Sequence, residues 1–347
     1  MKRILLLLSL ILVSLLIVSS ATACSGTKTG TPDEPVVLRF TTGGPAEHPG
    51  TKLIEGFAED FNTRAGGGYI IKVFPGGTLV STLEQNNAIR TGAVEMGDAA
   101  TNFYAGDDAA FGVMDVPFLL NNYDAQIAFS KDAIEILDPI AQDKFNQKII
   151  VTGIYGTKDV YSVDKAVKTL DDWKGLLVSI NTPIESDMVK ALGGAPVLVD
   201  WIDELPSLQK GVINAGIISS PIGLGPMGYS DVINYYTIAS MKGGMQFFSM
   251  NLDVWDSLPK SIQNTMEDAA WDYADNFNET FKNTEKQTIE QLKSEGVEVY
   301  YLPKDEHARW VAATQQVTDD YWNSLPQDIT KKFKDFAESA NSKYPIE

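Results

Sequence analysis

The sequence predicts an α/β fold built in two halves. Strand and helix patterns alternate over roughly the first hundred residues of the chain body. A second alternating series runs from about Lys148 to Pro221, and a long helical stripe begins after Pro259. In order, "VVLRFTTGG" from Val36 reads as a buried strand closed by a Gly turn. Leu53, Ile54, Phe57 and Phe61 then recur at helical spacing before "AGGG". "YIIKVFPGG" is a second strand. "STLEQNNAIRTGAVEMGDAA" is a helix with Ser81 or Thr82 as N-cap, running into a third strand. "KIIVTGIYG", "LLVSINT", "APVLVDW" and "VINAGIISSP" are the strands of the second series, with "ESDMVKALGG" and "DELPSLQKG" as helices between them. "QFFSMNLDVWDSLP" carries the last strong strand signal. Ile262, Met266, Ala269, Tyr273, Phe277 and Phe281 then form one apolar helical stripe, ended by Gly296, and a final helical region runs from about Lys304 to Ser342.

The N-terminus points to export. Lys2-Arg3 precede an apolar run from Ile4 to Val18 and the small residues Ala21-Thr22-Ala23, the layout of a signal peptide over residues 1–23. A single signal-anchor helix is the alternative. Cys24, the only cysteine, sits where a bacterial lipobox places its lipidated residue, although Ala21 replaces the usual Leu; ordinary cleavage nearby would instead lose Cys24 or leave a free thiol. Residues 24–35, "CSGTKTGTPDEP", are polar and have nothing to bury, as expected of a flexible tether. The expected location is therefore periplasmic or at the cell surface, lipid-anchored to the cytoplasmic membrane.

About 310 residues remain, enough for two ordinary domains or one large one. A formal net charge of −18 argues against nucleic-acid binding, which needs a basic face. The two histidines, His48 and His307, form no metal pattern, and there is no Gly-x-Ser-x-Gly elbow, phosphate loop or calcium loop. The sequence nominates no metal, cofactor or catalytic set. Two α/β halves without catalytic residues can close on a small ligand by hinge bending, so the residues themselves read as a solute receptor.

The ordered set "LRFTTGGPAEHPGTKLIEGFAEDF", "VFPGGTL", "AIRTGAVEMGDAA", "DVPFLL", "LDDWKGLLVSI", "KALGGAPVLVDWIDELPSLQKGVINA" and "VWDSLP" resembles the solute-binding component of tripartite ATP-independent periplasmic (TRAP) transporters, of the DctP type. That resemblance implies a two-lobed, type II periplasmic-binding-protein fold with an interlobe cleft and a long spanning helix. It places 36–154 plus 244–284 in the first lobe and 155–243 plus 285–347 in the second. It implies a small organic solute and the small and large membrane subunits as partners, and no enzymatic activity. Two departures from the family pattern bear on the ligand. Ser179 stands where the family places an arginine that grips the substrate carboxylate. Ile217 and Ile218 stand at the Glu and Trp of one branch's ion site, so that site is not supported.

Lys158, where relatives often carry a second ligand-facing arginine, is the candidate replacement cation. Trp201, Tyr155, Thr101, Asn102, Asn181, Ser219 and Phe247 are the other expected ligand contacts, with Phe248 alternating against Phe247. Apart from Lys158 these are uncharged, which favours a neutral or polyol-like ligand; the alternative is an acid held by Lys158. Two further readings stay open: a sensor presenting its bound form to a membrane receptor, and an exported enzyme using Asp203 or Glu204 as acid or base.

Overall fold

A computed structural model of the 347-residue chain describes residues 30–345, apart from 83, 200–202, 221–223 and 225–227. Two sheets organise it. The first combines β1 (Val36–Thr41), β2 (Tyr69–Phe74), β3 (Met96–Ala100), β4 (Gln147–Ile154) and β10 (Met245–Asn251) in the order β2-β1-β3-β10-β4. β1 runs parallel to β2 and β3, whereas β10 is antiparallel to both its neighbours. The second sheet has the order β11-β9-β5-β8-β6-β7. Its strands are β5 (Lys158–Ser162), β6 (Leu177–Ile180), β7 (Ala195–Leu198), β8 (Ala215–Ser219), β9 (Tyr235–Lys242) and β11 (Glu298–Tyr301). Each sheet is the centre of its own lobe.

Helices cover both faces of the first sheet. On one side α1 (Pro49–Arg64) and α7 (Lys260–Ser294) meet β10, where Phe248 stacks on Tyr273 at 4.5 Å between ring centroids and touches Phe40 edge-on at 4.9 Å. On the other, Phe247 packs against Tyr104 and Phe111, with Phe145 of α3 (Tyr123–Phe145) behind them. A central strand covered on both faces buries consecutive side chains, and both phenylalanines are almost fully buried.

Local sequence sets the helix ends. The His48 side chain accepts from Gly50 N at 3.1 Å, and Pro49 opens α1. In α4 (Pro183–Leu192), Thr182 and Glu185 form a reciprocal capping box, and Gly193 takes the left-handed conformation at the C-terminus with φ 102°. The expected helix from Ser81 shortens to α2 (Gln85–Arg90). α5 (Glu204–Gln209) and α6 (Leu252–Ser257) are short connectors.

The chain crosses between lobes from β4 to β5, again from β9 to β10, and a third time along α7. Tyr155 N donates to Gly244 O at 2.8 Å, so the first two crossings run side by side. The 35 residues of α7 extend about 52 Å. Phe277 and Phe281 pack in the first core and Leu292 in the second, so one rigid element backs both lobes.

The final helical region is two helices, α8 (Lys304–Ser324) and α9 (Gln327–Lys343), separated at Leu325-Pro326. Grouping all of 285–347 with the second lobe is incorrect at its end. Trp310 of α8 packs on Trp173 in the second lobe, but Phe333, Ala337 and Ala340 of α9 belong to the first core, with Phe333 stacked on Phe129. Within the segment expected to be a tether, Thr31 and Glu34 exchange backbone hydrogen bonds of 3.0–3.1 Å in a local turn. Cys24 and residues 1–23 lie outside the described residues.

Candidate functional site

The two side-by-side crossings form the seam at which the candidate site is built. Ser219, at the end of β8, donates its hydroxyl to Tyr155 O at 2.6 Å. The Tyr155 hydroxyl donates to Gln246 Oε1 at 2.9 Å, and Gln246 Nε2 donates to Tyr273 OH at 2.8 Å on α7. Lys158 opens β5 in register with Ser219 on one side and Lys242 on the other. Gly244 lets the two crossings approach closely, since a Cβ would lie 3.2 Å from Lys158 Cε and 3.3 Å from Tyr155 Cβ.

Charged groups gather around this seam. Lys242 is 1% exposed and bonded to two carboxylates, Asp115 and Glu185. Asp115 ends the 3₁₀ segment Ala109–Asp115 of the first lobe, whereas Glu185 and Lys242 belong to the second, so the triad ties lobe to lobe. Backbone bonds reinforce it: Phe118 N donates to Met241 O at 2.8 Å and Gly243 N to Met114 O at 3.0 Å. Glu185 additionally accepts from Asn181 N at 2.6 Å and Thr182 N at 3.2 Å. Although burial opposes ionisation of Glu185, the charges of Lys242 and Lys158 and these donors hold its carboxyl below the usual range.

Lys158 differs from Lys242 in having no ion pair or hydrogen bond for its ammonium among the described residues. It is half-buried, and burial together with the neighbouring charge of Lys242 lowers its pKa, only partly opposed by Glu185, Asp115 and Glu204. Glu204, at the start of α5, is buried and bonded by the Tyr161 hydroxyl. Burial pushes its carboxyl up to about 7; the Tyr161 bond opposes the shift, the charge of Glu185 adds to it, and Lys158 and Ser179 lower it. Gly216 makes room for this pair, because a Cβ there would come within 2.8 Å of Glu204 Oε1 and closer still to the Tyr161 hydroxyl.

The profile of the bacterial extracellular solute-binding protein family 7, DctP, matches residues 40–325. The chain belongs to that family. The C4-dicarboxylate-binding periplasmic protein DctP of Rhodobacter capsulatus is 23% identical over 297 residues, 83% of this chain and 86% of the relative. The structure of a Bordetella pertussis extracytoplasmic solute receptor, DctP7, binding pyroglutamic acid superposes with a TM-score of 0.80 at 20% identity, covering 87% of this chain and 99% of that one. A TRAP periplasmic solute-binding protein of Chromohalobacter salexigens with bound D-glucuronate gives 0.79 at 20% identity, covering 86% and 99%. The fold is thus that of the two-lobed TRAP solute-binding proteins, and this DctP-family chain is an extracytoplasmic solute receptor.

Within the receptor, the residues expected at the site separate into three groups. Tyr155, Lys158 and Ser219 come together at the seam. Thr101 and Asn102 form the 3₁₀ turn that follows β3, beside Gln246, which pairs with Ala100; Thr101 is buried and Asn102 half-buried. The next residue, Phe103, lines a polar cavity of about 330 Å³ in the first lobe, together with Gln85, Asn86 and Arg90 among others. Ser179 is buried on β6 against Glu204, and Asn181 is exposed just before α4. Phe247 and Phe248 are corrections, since both are core residues and neither reaches the seam. Trp201 lies outside the described residues.

Lys242, Asp115 and Glu185 were not among the expected site residues, and Glu204 was expected only under the enzyme reading; all four are buried charged groups around the seam. Lys242 carried one faint sequence signal, a lone lysine beside "GGM" in an otherwise apolar strand. Among the described residues no group of His, Cys, Asp and Glu is arranged to hold a metal ion, and no helix is long and apolar enough to cross a membrane.

Proposed function

We propose that this receptor captures a small organic acid in its interlobe cleft, with Lys158 meeting the carboxylate, and delivers it to the small and large membrane subunits of a TRAP transporter. The single observation that carries the choice of ligand is the ammonium of Lys158, which has no partner among the described residues. Lys242 beside it is bonded to both Asp115 and Glu185, whereas the Lys158 ammonium makes no ion pair or hydrogen bond among the described residues, and the charges of Glu185, Asp115 and Glu204 only partly oppose the burial that disfavours it. A desolvated cation without a partner favours an anionic ligand. The similar proteins point the same way, because their named ligands, a C4-dicarboxylate, pyroglutamic acid and D-glucuronate, are all acids. Ser179 leaves room for hydroxyl groups where the resemblance would have placed an arginine. Lipidation at Cys24 would hold the receptor at the membrane; mass spectrometry of the membrane-extracted protein tests that part.

A thermal-shift panel tests the ligand class. Succinate, pyroglutamate, D-glucuronate and galactonate are compared with glycerol, inositol and neutral sugars. Stabilisation by one or more acids, abolished in Lys158→Met, is expected. Stabilisation by the neutral compounds alone, or an acid shift that Lys158→Met leaves intact, would overturn the assignment.

A further inference from the structure

Directly behind the seam, one hydroxyl stands between two carboxylates. Thr157 Oγ1 is 3.2 Å from Asp159 Oδ2 and 3.2 Å from Glu285 Oε1. Glu285 lies on α7, where the spanning helix passes from the first lobe to the second. Asp159 is 1% exposed and already holds four donors: Ala239 N and Ser240 N, each at 2.7 Å to Oδ1, and the Tyr236 and Thr157 hydroxyls, each at 3.2 Å to Oδ2. Burial raises the Asp159 carboxyl, but its four donors oppose that shift and suit the ionised form. The single Thr157 proton, given to Asp159, cannot also serve Glu285. With both acids ionised, Thr157 Oγ1 and Glu285 Oε1 would face each other with no hydrogen between them. A proton on Glu285, donated to Thr157, completes the chain Glu285–Thr157–Asp159.

We infer that Glu285 is a positioning residue for Lys158, holding a proton that it donates to Thr157 and so fixing both neighbours of Lys158 to the spanning helix. Thr157 and Asp159 flank Lys158 in sequence, and the same network holds the bulge of β9, where Ser240 has a φ of 48°. The surroundings agree. Burial and then the charge of Asp159 raise the Glu285 carboxyl to about 7, against the Thr157 bond and the more distant Lys282 and Lys286. Lys282 is taken up by Asp124 of α3 at 2.6 Å, and the Tyr123 hydroxyl donates to Ile154 O at 2.6 Å, so neither neutralises Glu285. The Tyr236 hydroxyl donates to Asp159, whose charge acts on it more strongly than that of Glu285.

The consequence is a pH dependence of the binding geometry. Below about pH 7 Glu285 keeps its proton and Lys158 is held; above it Glu285 ionises, the Thr157 contact becomes repulsive and the segment loosens. The positioning rests on the reading of Lys158 as the carboxylate anchor, but its test uses ligand-free protein and so can fail separately. Amide resonances of Thr157, Lys158 and Asp159 are followed by NMR across pH 5 to 9, in wild type and in Glu285→Gln, whose amide donates to Thr157 at every pH. Expected is a shared inflection near pH 7 in wild type that is absent in Glu285→Gln. In the infrared, Glu285→Gln should remove a protonated-carboxyl band present in wild type at pH 6. Thr157→Val should keep that band and diminish the amide inflection. Flat wild-type profiles, an unchanged inflection in Glu285→Gln, or no band lost would overturn the inference. An acid that binds Lys158→Met as tightly as wild type would overturn the ligand reading alone.

Discussion

The triad of Lys242, Asp115 and Glu185 is the most consequential ion cluster in the fold, and Lys242→Met isolates its contribution. The cation is 1% exposed and its partners 6% and 3%, so removing it strands two carboxylates in a site without solvent. Glu185 retains the Asn181 and Thr182 backbone donors, but Asp115 Oδ2 already lacks a partner, so Asp115 suffers most. Breaking a buried pair in this way costs about 3–5 kcal/mol, a large part of a typical total stability of about 5–15 kcal/mol. For a protein of this size the melting temperature should fall by on the order of 10 °C. The assay is urea and thermal unfolding of the ligand-free protein, followed by circular dichroism. Replacing all three residues with apolar ones of similar volume should recover most of the loss, because no uncompensated charge remains.

The pH dependence of the triad has a definite sign. Glu185 is held below its ordinary 4.5, so its contribution is present above about pH 4.5 and is lost as pH falls through the folded value. Lys242 is raised above 10.5 by Asp115 and Glu185, in spite of burial, so its contribution is present below about pH 10.5 and disappears only above that. A Lys242→Met protein within about 1 kcal/mol of wild type at pH 7 would refute the reasoning, since no buried pair of this kind leaves so little trace.

Phe247→Ala should cost about 3–5 kcal/mol through the cavity it leaves among Tyr104 and Phe111; its ligand affinity at a temperature where it stays folded should match wild type, as titration calorimetry can check. Glu204→Gln should reduce a pH dependence. The carboxyl is raised to about 7 in the folded protein, so wild type loses stability as pH rises from about 4.5 through 7, and the amide variant should show a shallower loss over that range in urea midpoints, keeping the share that Glu285 contributes. Gly216→Ala should destabilise by about 1–3 kcal/mol by forcing Tyr161 and Glu204 apart.

Elements with a strong local pattern were legible in the sequence. Runs such as "KIIVTGI" and the stripe from Ile262 to Phe281 announce a buried strand and a long helix, because their spacing alone decides which face is covered. α3 left little trace: Pro139 interrupts its pattern, and buried residues such as Gln126, Ser130 and Asp138 blur its apolar face. β11 was hidden too, as a short edge strand with half-exposed tyrosines. Within the site, Lys158 and Ser219 were accessible because strand ends can be placed from local signals. The triad was not, since Lys242 and Asp115 are 127 positions apart and meet only through the crossing of the lobes. Phe247 misled because strand alternation implies one buried and one open face, whereas β10 is covered on both.

The central claim, that Lys158 anchors the carboxylate of a small acid between the lobes, is tested most directly by a crystal structure of the receptor with the acid that stabilises it most. The account predicts a ligand carboxylate oxygen within hydrogen-bonding distance of Lys158 Nζ, with Tyr155 and Ser219 bordering the same cleft. A ligand that turns its carboxylate away from Lys158, or density for an uncharged molecule that leaves the ammonium unpaired, would contradict it.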